Sequence, residues 1–329
     1  MTSTTSLRRA HVRTLGSRAR RSVALAGLVA VALGISVVEG ATPASADPVA
    51  FSCTNSGFLT QASTVTEIDL VTGDTLPGPS LPVTVNGAGY NPLDGLIYVW
   101  DYSNIGIGRL DATGAYEPLG LPAGMVDRNW NMGDVDGDGY LWLATSGGTT
   151  NWVQIDVRPG SPTFAEVVAS GSAIRPASVR GPGADWAWVP GRPGKLYATA
   201  PVTGALNRAA LVEFDMATST WTVLGELGTF VPSGNWSSGA TYADADGYLY
   251  AQDNATGIII RVDVDAVTAA PFSVGPPSSV NDGASCADRS LDVDFGDAPP
   301  SYSVTLADDG PRHSLQGFAG DRADLMLGA

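Results

Sequence analysis

The densest run of groups able to do chemistry is Asp134-Val-Asp-Gly-Asp-Gly139, which sets three carboxylates, Asp134, Asp136 and Asp138, at alternate positions. Calcium loops begin with this spacing, because oxygens from every second residue of a tight turn converge on one hard cation. A loop of the EF type opening at Asp134 wants a bidentate glutamate at its twelfth position, and that position holds Thr145. Asp244-Ala-Asp-Gly247 repeats the opening elsewhere, as Asp and Gly do wherever a hairpin must turn. Two readings follow: calcium at Asp134, Asp136 and Asp138, or turn chemistry used twice.

Glycoside hydrolysis needs only two carboxylates, and Asp134 with Asp185 would supply them if both reached a common cleft. Ser–His catalysis lacks its base, since the two histidines, His11 and His313, lie near the two ends of the chain. That scarcity, with only two cysteines, leaves no zinc set. Cys53 and Cys286 read as a disulfide in an exported chain, with two buried free thiols as the alternative. Of the eight tryptophans, most read as packing. Trp130 and Trp236 stand in connecting segments beside Asn129, Asn131 and Asn235, and are the expected ligand contacts, because an exposed indole stacks on a sugar or anchors a partner.

These groups are positioned by a repeat. Asn86-Gly-Ala-Gly-Tyr-Asn91 followed by Gly95-Leu-Ile-Tyr-Val-Trp100 matches Ser238-Gly-Ala-Thr-Tyr-Ala243 followed by Gly247-Tyr-Leu-Tyr-Ala-Gln252. Gly133 to Ala144 and Asp185 to Thr199 give two further copies, at a period of roughly 45 to 55 residues that marks propeller blades. A strand ending in Asp recurs at Asp69, Asp111, Asp156, Asp215 and Asp263. No stretch of this region has a sustained helical period. The first unit lacks an inner strand, and Asn281-Asp-Gly-Ala-Ser-Cys286 supplies one from the far end of the chain. The expectation is an all-β, five-bladed propeller closed by a shared first and last blade, which removes exposed sheet edges. Cys53 and Cys286 would lie side by side at the closure.

Arginines 8, 9, 13, 18, 20 and 21 precede an uncharged apolar run from Val23 to Val38, and Ala44-Ser-Ala46 offers a cleavage site. Residues 1–46 therefore read as a signal peptide of the general secretory route, with no membrane span left after cleavage. The whole chain carries a formal charge of −15, and losing those arginines makes the mature protein more acidic still. Nucleic acid is excluded as a partner, because binding it requires basic residues to replace counterions. The ring is assigned to 47–291, and 292–329, rich in Gly, Asp and Pro, reads as a short disordered C-terminal segment or incomplete domain.

The run from Phe51-Ser-Cys53 to Asn281-Asp-Gly-Ala-Ser-Cys286 resembles an uncharacterised propeller-like domain at the front of secreted actinobacterial surface proteins. Asp294-Phe-Gly-Asp-Ala-Pro-Pro-Ser-Tyr302, with Ala307-Asp-Asp-Gly-Pro-Arg-His313, is similar to the opening of a domain in adhesin-like bacterial surface proteins. A secreted or cell-wall-associated monomer with a surface glycan or protein as its partner is expected, and the resemblance implies a surface or matrix protein rather than a known catalyst. It implies no cofactor beyond the calcium considered above, and the alternative is a carboxylate-based glycosidase.

Overall fold

The structure is a computed structural model that describes residues 47–181, 183–295, 299 and 310–315. The expected signal peptide, 1–46, lies outside the described residues. Every regular element described is a strand, and among these residues no helix is long and apolar enough to cross a membrane.

Five four-stranded sheets form the ring. Strands β1 (Ser56–Gln61), β2 (Thr64–Asp69) and β3 (Thr75–Ser80) make most of the first blade. The second holds β4 (Val85–Asn91), β5 (Leu96–Asp101), β6 (Gly106–Leu110) and β7 (Tyr116–Gly120). The third holds β8 (Met132–Val135), β9 (Tyr140–Ala144), β10 (Thr149–Asp156) and β11 (Val167–Ile174). The fourth holds β12 (Ala187–Trp188), β13 (Lys195–Val202), β14 (Ala205–Asp215) and β15 (Thr220–Thr229). The fifth holds β16 (Ser238–Ala243), β17 (Tyr248–Asp253), β18 (Ile258–Asp263) and β19 (Thr268–Val274). The inner strand of the first blade is β20 (Asp282–Ser285), which pairs antiparallel with β1 from Gly57 opposite Ser285 to Thr60 opposite Asp282. The expected shared blade is therefore present.

The repeated aspartate at the end of each third strand has a local job. Asp69 accepts hydrogen bonds from the Val71 and Thr72 amides, Asp215 from Thr218, and Asp263 from Asp265 and Ala266. Each carboxylate folds the chain back into the fourth strand, the turn for which Asp is selected.

Apolar side chains leave both faces of each blade and meet those of the next, so the core is five interblade layers rather than one centre. Between blades three and four, Trp142, Trp152, Trp186, Phe214 and Trp221 interlock, with Phe214 and Trp221 ring centroids 5.1 Å apart. Leu59 and Ile68 of the first blade pack on Tyr242 and Ile259 of the fifth, so closure also buries a full apolar layer.

The latch is a disulfide between Cys53, just before β1, and Cys286, just after β20, with Cα atoms 5.5 Å apart. Ordered structure also continues past Leu291, where the sequence places the end of the ring. Strand β21 (Val293–Phe295) pairs with β22 (Arg312–Ser314). The wholly buried Asn55 supplies the reason: its amide group donates to the Asp292 carbonyl and to Ser314 Oγ, both at 2.7 Å, and accepts from the Asp292 amide at 2.8 Å. Of 292–329, residues 296–298, 300–309 and 316–329 lie outside the described residues.

Because the latch spans 233 residues, its loss releases a large unfolded-state entropy, worth on the order of 5 kcal/mol in the chain-entropy model. Replacing both cysteines by serine is expected to lower the unfolding free energy in urea by roughly 2–5 kcal/mol. A thiol count on the unfolded, unreduced protein is expected to find none.

Candidate functional site

An inner strand pairs on one side only, so its other edge points N–H groups at the ring axis. Glycines let these edges close up. A Cβ at Gly133 would overlap the backbone of Gly87, and one at Gly283 would lie 2.7 Å from the Thr241 backbone. The inward amides must be satisfied inside a space that narrow.

Three wholly or almost wholly buried aspartates satisfy them. Asp282 accepts from the Gly87 and Ala88 amides of β4 at 3.0 and 3.1 Å. Asp185 accepts from its neighbour Trp186 (2.7 Å) and from Gly133 (3.4 Å), Thr241 (2.6 Å) and Gly283 (3.2 Å) on three other inner strands. Asp134 accepts from Val135 at 2.8 Å and from the Trp188 amide at 2.6 Å. Ser285 completes the set, its hydroxyl accepting from the Ala243 amide and donating to the Ala243 carbonyl, both at 3.0 Å.

Burial pushes all three carboxyls well above the ordinary range. The charge of Asp136 adds to this at Asp134, that of Asp134 at Asp185, and that of Asp185 at Asp282, while the backbone N–H donors pull the other way. The axis is thus a row of interacting carboxyls whose burial favours the neutral form.

The expected calcium set is not assembled. Asp134 points to the axis, whereas Asp136 accepts from the Asp138 and Tyr140 amides, both at 3.0 Å, and from Trp142 Nε1 at 2.8 Å. Asp138 stands exposed at the turn. Asp244 repeats the pattern with Asp246, Tyr248 and the Tyr250 hydroxyl, which supports the turn-chemistry reading. Among the described residues, the one trio of ligand-type atoms within 4.8 Å is Cys53, Cys286 and Asp288, and both sulfurs there belong to the disulfide.

Trp130 and Trp236 are not surface contacts. They are 3% and 1% exposed. Trp130 Nε1 donates to the Val126 carbonyl of its own connecting segment at 3.0 Å, and Trp236 Nε1 to Thr199 Oγ1 on β13 at 2.9 Å. A buried indole needs one acceptor, and here the fold provides it.

The concave site lies where the C-terminal ends of the inner strands meet. A cavity of about 170 Å³ is lined there by Tyr90, Asp134, Val135, Trp188, Ser285 and Asp288, among others. Trp188, lying against Gly137, is also a wall of a groove of about 510 Å³ between blades three and four, whose sides include Asp138, Tyr140, Trp142, Gln154 and Met216. Trp188 is the functional candidate that sequence reasoning passed over as packing. The signal was its place as the last residue of a two-residue inner strand: it faces as Trp186 does, but reaches past the end of the core.

A family profile described as a repeat of unknown function (DUF6923) matches residues 51–288. The chain belongs to this family. The span matched in this DUF6923 chain includes both latch cysteines and every inner strand. No curated protein matches the sequence. Among solved structures, a chain of a nidogen/laminin complex is 14% identical, with 70% of this chain and 97% of that one covered at a TM-score of 0.44. The virginiamycin B lyase from Staphylococcus aureus is 16% identical, with 71% and 72% covered at 0.38. The Dos1 propeller is 13% identical, with 68% and 62% covered at 0.34. At these identities the likeness is one of fold.

A carboxyl whose value the fold raises favours the folded state most below its unfolded value of about 4, and that contribution fades as pH climbs through the raised folded value. The melting temperature is therefore expected to fall as pH rises above about 4. Asp282→Asn should start lower but fall less steeply. Asp215, lowered to about 2 by Lys195, acts in the opposite sense and in a separate window below about 4. Asp185→Ala leaves four buried amides unpaired and is expected to cost more than about 3 kcal/mol in urea unfolding.

Proposed function

We propose that this ring is a non-catalytic recognition module, exported and held at the cell surface, that engages a surface glycan or protein with the face where the inner strands end. The observation that carries this reading is the contrast between two sets of groups at that face. Both oxygens of Asp134, and both of Asp185, accept backbone N–H groups, so neither carboxyl has the unoccupied geometry of a general acid or nucleophile. Trp188 and Tyr140, by contrast, are half-buried and line a groove with the polar groups of Asp138 and Gln154, a surface suited to stacking and hydrogen bonding rather than to proton transfer.

Export is supported by the arginine-led apolar run and the Ala44-Ser-Ala46 site, and by the disulfide, which persists in oxidising surroundings. The formal charge of −15 keeps such a module soluble and steers it away from nucleic acid.

Glycan arrays and a panel of purified surface proteins are expected to show binding without turnover. Trp188→Ala should weaken that binding by roughly 30-fold or more, as loss of an aromatic anchor does, while leaving the melting temperature within a few degrees. Hydrolysis of any polysaccharide that disappears in Asp134→Asn or Asp185→Asn would replace this reading with a glycosidase.

A further inference from the structure

The axial pocket differs in kind from the groove beside it. Its volume of about 170 Å³ is well below the range of about 300–1,000 Å³ that drug-sized ligands occupy, and suits one long side chain. Its walls include the rings of Tyr90 and Trp188, and apart from the Tyr90 hydroxyl its titratable groups are the carboxyls of Asp134 and Asp288. Asp134 forms the floor and Asp288 stands exposed at the rim. Arg289 follows Asp288, and its charge reaches Tyr90, but it does not line the pocket.

We infer that this pocket receives a single lysine or arginine side chain from a protein partner, its stem between Tyr90 and Trp188 and its cationic end between Asp134 and Asp288. This rests on the reading of that face as a recognition surface. Aromatic walls beside a cation contribute electrostatically through the ring quadrupole, and a carboxylate at the rim steers a basic group inward. The floor answers the arriving charge. Asp134 is neighboured by Asp136 in the turn after β8 and by Asp185 just before β12, with Asp288 across the pocket, and all are acidic. A cation beside it favours its ionised form. The same acidity keeps a neutral or anionic side chain from competing, which makes the pocket selective as well as attractive.

The test uses the full mature chain and two capped tripeptides, acetyl-Gly-Lys-Gly-amide and its norleucine counterpart, followed by tryptophan fluorescence and by calorimetry. The lysine peptide is expected to bind saturably, at least about tenfold more tightly than the norleucine peptide, and to lose about tenfold with Asp288→Asn. Asp288 is exposed, so that variant should keep the parent melting temperature. Equal binding of the two peptides, no saturable binding, or indifference to Asp288→Asn overturns the inference. So does butylammonium binding as tightly as the lysine peptide, since the occupant would then be a free amine. If glycans or proteins bind in a manner lost with Trp188→Ala while these results are negative, the recognition module stands and the basic side chain falls. If nothing binds the face at all, both fall.

Discussion

The constraint on which this ring depends is the need to satisfy backbone N–H groups along five sheet edges that converge where little but protein fits. An unpaired buried amide costs about 1–3 kcal/mol, and the inner strands present a series of them. Asp134, Asp185 and Asp282 meet that need with side chains, each reaching from its own strand to the edge of another. Asp185 alone ties β8, β16 and β20 together. The centre is thus a hub of carboxyls, and its cost is electrostatic: burial disfavours the charged form of acids that would be ionised in water.

That hub separates two roles which the sequence presents together. Asp134-Val-Asp-Gly-Asp138 looks like one unit, yet the strand ends at Val135, so Asp134 faces the axis while Asp136 organises the turn that follows. A ligand reading of such a run depends on all three carboxylates facing one point, and alternation along a strand that stops midway defeats it. The parallel behaviour of Asp244 in the fifth blade belongs to the same repeat logic.

The ring, its blade count and its closure were legible because they follow from periodic features: apolar strands at a regular interval, an Asp-led turn after each third strand, and a missing inner strand matched by a surplus one at the far end. The latch was legible for the same reason. The site was less so. Trp130 and Trp236 stand among asparagines in connecting segments, and nothing local reveals that the Val126 carbonyl and the Thr199 hydroxyl take their N–H groups inward. Trp188 is half-buried at the end of a strand only two residues long, and that length is not marked in the sequence around it. The docking of β21 rests on Asn55, a contact across more than two hundred residues that no window of sequence contains.

The pairing of β1 with β20 also dictates the order in which this protein is able to fold. The first blade is the earliest made, yet its inner strand is among the last segments of the ring to leave the ribosome. Until then β1 has an open edge, and Leu59 and Ile68 lack the fifth-blade layer that covers them in the finished ring. Contacts this distant close slowly, because chain entropy is lost before they are gained. An open edge is also a template for a neighbouring copy's strand, the route by which identical chains exchange elements. The Cys53–Cys286 bond therefore acts as a record of self-completion: once oxidised within one chain, it removes that chain from the pool able to trade its last strand.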